Sequence, residues 1–115
     1  MTPQSQNQFL TLIGTAITDH RVIQIKHKNI WRTVEPYMAG LSRETQTPGL
    51  YGFCRDVIPA RYQNVDNRWQ VFPFDDIEAI ELTYYEFRPH LEYTGNFDRM
   101  QPVYIKLTPA LVGSR

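Results

Sequence analysis

The sequence predicts a mainly β protein in which one N-terminal α-helix precedes a small β-barrel. The apolar spacing is helical up to His20 and then changes to the alternation of a strand. Residues 79–87 show that alternation most clearly, and turn residues separate five to seven short strands, a pattern typical of small barrels. A length of 115 residues fits a single domain, with the helix at about residues 6–19 and the barrel at about residues 21–107.

The helix is predicted from a stripe of apolar residues. Phe9, Ile13 and Ile17 recur at intervals of four, which places them on one face of an α-helix. Leu10 and Ala16 widen this stripe. The first element is therefore an amphipathic helix.

An antiparallel hairpin is predicted directly after the helix. In residues 21–28, Ile23 and Ile25 share one face of a strand and polar side chains occupy the other. Asn29 tolerates the left-handed backbone conformation of a tight turn. Residues 31–36 form the returning strand.

The rest of the chain alternates between short strands and polar connections. Because proline cannot donate to a β-ladder, the strand that ends at Pro73 must lie at a sheet edge or stop there. Ile80 and Leu82 are expected to join Ile23 and Ile25 in the core. The remaining predicted segments are strands at 38–42 (after a bend at Pro36-Tyr37), 50–55, 69–73, 79–87 and 103–107, a loop at 59–67, a helical turn at 74–77 and an irregular segment at 89–101.

Composition excludes several classes of protein. Twelve basic and twelve acidic residues give zero net charge, which argues against a strong non-specific DNA binder. The single cysteine, Cys54, excludes an internal disulfide and is expected to be a buried strand residue in a reducing cytoplasm. The N-terminus lacks the basic and apolar regions of a signal peptide. No stretch approaches the roughly 20 apolar residues of a membrane span.

Two segments of opposite charge stand out. Residues 20–34 contain four basic residues and no acid, whereas residues 75–92 contain six acids and one arginine. One interpretation is that the two segments pair or face solvent. The other is a basic face that binds a ligand, since nine of the twelve basic residues are arginine, which suits phosphate and carboxylate contacts better than lysine.

Motifs of catalysis, metal binding and nucleotide binding are absent. The sequence contains no nucleotide-binding glycine fingerprint, no phosphate loop and no Cys-x-x-Cys pair. His20, His27 and His90 lie far apart in the chain, and a zinc site needs four ligands to converge. We therefore expect neither an enzyme nor a bound metal or cofactor.

The aromatic residues give the best indication of a site. Most of them fall on predicted strands and should be core residues. Alternation places Tyr51, Phe53 and Arg55 on one face of their strand. Two rings beside a guanidinium form the kind of surface on which bases stack and phosphates are held.

Four sequence blocks follow one another at residues 16–25, 30–37, 50–54 and 69–80. Their order resembles the WYL domain family of bacterial ligand-sensing domains. The most specific match is Arg-Thr-Val-Glu-Pro-Tyr at residues 32–37. The resemblance implies an Sm-like β-barrel in a bacterial cytoplasm, without enzymatic activity, of a kind found in transcriptional regulators and phage-defence proteins. It also implies a basic, aromatic-bearing cleft for a nucleic-acid or nucleotide ligand, with Arg32 as a cleft arginine.

The chain departs from the family pattern at three places. The strand that should carry the Trp-Tyr-Leu tripeptide has Leu-Tyr-Gly-Phe at residues 50–53. Pro73 and Asp76 stand where the family often has basic residues. Two phosphate-holding charges are therefore missing.

These observations lead to a non-enzymatic ligand-sensing domain for a single-stranded nucleic acid or a nucleotide. The alternative is a structural module that forms a homodimer or docks on a separate effector protein. An exposed apolar patch would favour docking, and a groove with converging arginines would favour ligand sensing. The expected ligand-binding residues are Arg32, Tyr51, Phe53 and Arg55, with Lys26 as a weaker contributor.

Overall fold

One helix and six strands make up the part of the chain that the computed structural model describes, residues 3–56 and 68–109. A single 3₁₀ turn, Phe74–Asp76, joins the fourth and fifth strands. The predicted loop at residues 59–67 lies outside the described residues. The elements are α1 (Pro3–Thr18), β1 (Arg21–His27), β2 (Ile30–Ser42), β3 (Pro48–Cys54), β4 (Trp69–Pro73), β5 (Ile77–Glu86) and β6 (Met100–Lys106).

The strands form one antiparallel sheet in the order β4-β3-β2-β1-β5, and β6 also pairs with β2. The 13-residue strand β2 pairs with β3 along one edge. Along its other edge it pairs first with β1 and then with β6. Within residues 3–56 and 68–109 the end strands β4 and β5 do not pair, so the sheet is not closed. The mainly β prediction with a leading helix is confirmed, but a closed Sm-like barrel is not.

A bulge bends β2 where the sequence predicted a bend. The register with β3 shifts between Pro36 and Met38, so the two predicted segments form a single strand with Tyr37 at the irregularity. The β1–β2 turn also follows the prediction. Lys28 and Asn29 have φ angles of 51° and 67°, the left-handed conformation that a two-residue hairpin turn of type I′ requires.

The main core lies between α1 and one face of the sheet. Ile13, Ala16 and Ile17 are buried on the helix, which begins at Pro3, three residues before the predicted start. Ile23 and Ile25 are fully buried, as expected. Other residues buried in this core are Val22, Val34, Leu50, Cys54, Phe72 and Phe74.

Ile80 and Leu82 are half-buried rather than buried. Their strand β5 is at the end of the sheet and has a strand partner on one side only within the described residues. Each is directly opposite a core residue of β1, Ile25 and Ile23 respectively. The sequence therefore predicted the correct face of β5 for these two residues, but the prediction that they are buried is wrong.

Parts of the two charged segments lie side by side, as the first interpretation of the charge pattern expects. Antiparallel pairing of β1 with β5 sets Arg21 opposite Glu86. At the other end, the side chain of Lys28 lies 4.0 Å from that of Asp76. The basic segment therefore faces the acidic one.

Candidate functional site

A second cluster of side chains lies on the sheet face opposite α1. Directly paired residues project on the same face of a sheet. Phe53 is paired with Glu35 of β2 and with Trp69 of β4. These three residues alternate with Val34, Cys54 and Phe72 of the main core, as the pleat of a strand requires. Residues 87–99, which connect β5 to β6, supply aromatic side chains to this second face.

The aromatic side chains on this face pack against one another. The ring of Tyr51 stacks on Phe97, with centroids 3.9 Å apart and planes 14° apart. It also stacks on Trp69, with centroids 5.5 Å apart. Tyr37 contacts Trp69 and Tyr93 with centroids 4.8 and 4.7 Å away. Tyr51 is therefore part of a packed aromatic layer, and its ring already has two stacking partners.

A buried carboxylate lies beneath this layer. Glu35 is only 5% exposed. Its Oε2 accepts a hydrogen bond from Nε of Arg55 at 2.8 Å. Its Oε1 accepts one from the hydroxyl of Tyr37 at 3.1 Å, and Nε2 of His90 lies 3.2 Å from the same oxygen. We call Glu35, Tyr37, Arg55 and His90 the Glu35 cluster.

The Glu35 cluster connects the sheet to the segment that covers it. The backbone N–H of His90 donates to the hydroxyl of Tyr37 at 3.0 Å. Burial raises the pKa of Tyr37 far above its ordinary value, so its hydroxyl is a proton donor at neutral pH. A buried carboxylate is costly unless it is paired and hydrogen-bonded, and here it has three polar partners. These contacts hold Arg55 and His90 in place.

Phe53 lies at the solvent-facing rim of the cluster. The centroid of its half-buried ring is 4.2 Å from that of His90. The guanidinium carbon of Arg68 lies 5.9 Å from the same centroid. Arg68 is exposed, and the side chains of Arg55 and His90 are 41% and 32% exposed. We call Phe53, Arg55, Arg68 and His90 the Phe53 surface; it places an aromatic ring beside two guanidinium groups.

A depression of about 240 Å³ adjoins the Phe53 surface. Tyr51 and Trp69 form its aromatic wall, and the indole N–H of Trp69 donates to the carboxylate of Glu92 at its edge. The other lining residues are Tyr93, Thr94 and Asn96. The carboxylate makes this depression unsuitable for an anion.

Four of the five predicted residues lie on the sheet face opposite α1, and three of them lie close together. Phe53 and Arg55 belong to the Phe53 surface, and Tyr51 lies in the aromatic layer beside it. Arg32 projects from the opposite face, because it is directly opposite Ile25 of the main core. Lys26 pairs with Trp31 close to the β1–β2 turn. The sequence-based prediction that Arg32 borders the same surface as Phe53 is therefore wrong.

Three residues of the site were missed by the sequence analysis. The sequence did contain an indication of Glu35, because this residue lies two positions before Tyr37 in the block that best matches the WYL family. The indication of Arg68 was weaker and consisted only of its position immediately before β4. His90 lies in an irregular segment, where no periodicity indicates the direction of a side chain.

Two further features concern residues 3–56 and 68–109. In that part of the chain no three His, Cys, Asp or Glu side chains converge in a metal-binding arrangement. Nor does the same part contain a helix that is long and apolar enough to cross a membrane.

The chain has no match among protein-family models, curated proteins or solved structures. The resemblance to the WYL domain family therefore stays a prediction.

Proposed function

We propose that this protein is a non-enzymatic ligand-sensing domain whose Phe53 surface binds a nucleotide or a short single-stranded nucleic acid. The WYL-like sequence blocks support a role in transcription regulation or phage defence. The observation that carries the proposal is the partly buried Phe53 ring, with the guanidinium of Arg68 5.9 Å from its centroid and with Arg55, which is bonded to Glu35, on the same side of the sheet. Aromatic rings stack on bases, and guanidinium groups contact phosphates, in proteins that bind single strands.

The Glu35 cluster supports this proposal because it orients Arg55 before any ligand arrives. The bond to Glu35 uses Nε of Arg55, and a guanidinium has two further nitrogens that donate hydrogen bonds. Preorganised side chains lose less entropy on binding. Arg55 is therefore suited to receive a phosphate oxygen.

The charge of the protein limits the size of the ligand. The chain has zero net charge, and Glu35 partly neutralises Arg55. A ligand that contacts only Arg55 and Arg68 gives a salt dependence with a slope of roughly −1.4 on a logarithmic plot, far below that of a long nucleic-acid groove. A mononucleotide or a short single strand is the appropriate ligand class.

Fluorescence anisotropy with short labelled single-stranded DNA and RNA tests the proposal, with unlabelled nucleotides as competitors. Phe53→Leu removes the stacking surface and Arg68→Gln removes one cation. Each is expected to weaken binding, Phe53→Leu by roughly 5- to 100-fold, from about 1–3 kcal/mol per stacked base. Arg21→Gln is the matched control, because Arg21 is at the other side of the sheet, over the ring of Tyr84.

Three outcomes count against the proposal. If the wild-type protein binds none of these probes at several hundred micromolar and low salt, nucleotides and short single strands are not its ligands. Binding that is unchanged by both Phe53→Leu and Arg68→Gln places the site elsewhere. Binding that Arg21→Gln weakens equally is a diffuse charge effect.

A further inference from the structure

The strand β5 presents an edge that no other described strand covers. It is ten residues long, about twice the ordinary length of a strand. It pairs with β1 on one side, and within residues 3–56 and 68–109 it has no strand partner on the other. A free edge of this length is a template for pairing with another chain, and the charges along it determine which chains can pair with it.

Two tyrosines at the end of β5 contribute nothing to the core. Tyr84 is 90% exposed and Tyr85 is 74% exposed. The guanidinium of Arg21 lies 5.6 Å from the centroid of the Tyr84 ring, so one face of this ring already contacts a cation of its own chain. Exposed tyrosines that pack little on their own protein are typical of binding surfaces.

The charges on β5 indicate which kind of chain can pair with this edge. Glu78, Glu81 and Glu86 are exposed, and the strand has no basic residue. The carboxylate of Glu78 accepts a hydrogen bond from the backbone N–H of Asn29 at 3.0 Å, whereas the carboxylates of Glu81 and Glu86 accept no such bond from the described residues. In a second copy of the chain, two-fold antiparallel pairing centred on Leu82 would set Glu78 opposite Glu86 of that copy. Like charges directly opposite each other destabilise a sheet. A second copy is therefore disfavoured, and a basic strand is complementary.

We propose that the free edge of β5 binds an extended basic peptide segment of a partner protein, which adds a strand beside Glu78–Glu86 and places its lysine or arginine side chains against the glutamates and Tyr84. Backbone hydrogen bonds supply the affinity in this mode of binding, and side chains supply the specificity. Glu81 is the most favourable contact, because it is opposite the uncharged Gln24 of β1. Glu86 is instead opposite the basic Arg21 of β1.

The experiment titrates the full chain with three labelled peptides of ten residues, the length of β5. The first combines lysine with valine and threonine, the second replaces each lysine by glutamate, and the third carries the lysines with alternate backbone nitrogens methylated. The methylated peptide keeps the charge but cannot pair as a strand. The first peptide is expected to bind at least tenfold more tightly than either of the others.

Two variants locate the binding. A double variant, Tyr84→Ala with Tyr85→Ala, and the single variant Glu81→Lys are each expected to weaken binding at least fivefold, and neither removes a core contact. Glu44→Lys is the control, because Glu44 is also an exposed glutamate but lies in the β2–β3 turn, where it pairs with Arg99.

Failure has several distinct forms. No binding of the basic peptide at millimolar concentration overturns the proposal. Equal binding of the methylated peptide means that charge alone is recognised, without strand addition. A homodimer that the double tyrosine variant dissociates means that a second copy occupies this edge. None of these results bears on the Phe53 surface.

Discussion

Replacing the buried carboxylate of Glu35 by an amide is the most informative single change in the site. Glu35→Gln keeps the size of the side chain and one acceptor oxygen. The amide nitrogen then meets either Nε of Arg55, which is now 2.8 Å from Oε2, or the hydroxyl of Tyr37 and Nε2 of His90 near Oε1. One orientation sets a donor against a donor at Arg55, and the other does so at His90.

The magnitude follows from how deeply each partner is buried. Removing one member of a buried ion pair typically costs about 3–5 kcal/mol. Here the carboxylate is buried, but the side chains of Arg55 and His90 are 41% and 32% exposed, so water partly replaces the lost interaction. We expect the free energy of unfolding to fall by about 2–3 kcal/mol and the melting temperature by roughly 10 °C.

Urea denaturation of Glu35→Gln, Arg55→Gln and the double variant measures this effect. Because the two side chains contact each other, the double-mutant cycle should give a coupling energy of about 1–2 kcal/mol. Single variants within about 0.5 kcal/mol of the wild type, or a coupling energy of zero, would refute the assignment of Glu35 as the residue that holds Arg55.

Three further predictions concern the fold. Ile25→Ala should lower the free energy of unfolding by about 3–4 kcal/mol but Ile80→Ala by only about 1–2 kcal/mol, because Ile25 is fully buried and Ile80 is half-buried; equal losses in urea denaturation would contradict this burial. Gly52→Ala should cost about 1–3 kcal/mol in the same assay, since its Cβ would lie 2.7 Å from the backbone oxygen of Glu35; an unchanged midpoint would show that β2 and β3 are not this close. Burial lowers the pKa of His27 from 6.5, so the unfolded chain binds the proton more readily than the folded chain does. The free energy of unfolding therefore falls as the pH falls below about 6.5. His27→Gln should flatten this pH dependence between pH 5 and 7.5, and an unchanged curve would remove His27 as its cause.

Much of the fold was predictable because local periodicity determined it. The change of period at His20, the left-handed turn at Asn29 and the bend at Pro36-Tyr37 all occur where the sequence predicted them. The depth of burial of Ile80 was not predictable, because the position of β5 at the end of the sheet depends on pairing between distant segments. Whether the sheet closes depends on the same long-range pairing.

The site was predictable only in part for a related reason. Alternation correctly placed Tyr51 and Phe53 on one face of β3, and Arg55, one residue beyond the end of that strand, reaches the same side to bond to Glu35. Alternation says nothing about the face of a neighbouring strand until the register is known, and the register puts Arg32 opposite Ile25 on the core side. His90 comes from an irregular segment, so its approach to Glu35 is visible only in three dimensions.

Chemical-shift mapping by NMR tests the central claim most directly. A ¹⁵N-labelled sample of the whole chain is titrated with a short single-stranded RNA at low salt, and the amide and arginine side-chain signals are followed. Binding at the Phe53 surface predicts that the largest shifts occur at Phe53, Arg55, Arg68 and His90, with small shifts in α1 and β5. Shifts that concentrate on α1 or β5, or a spectrum that does not change at saturating RNA, would contradict the claim that this surface is the ligand site.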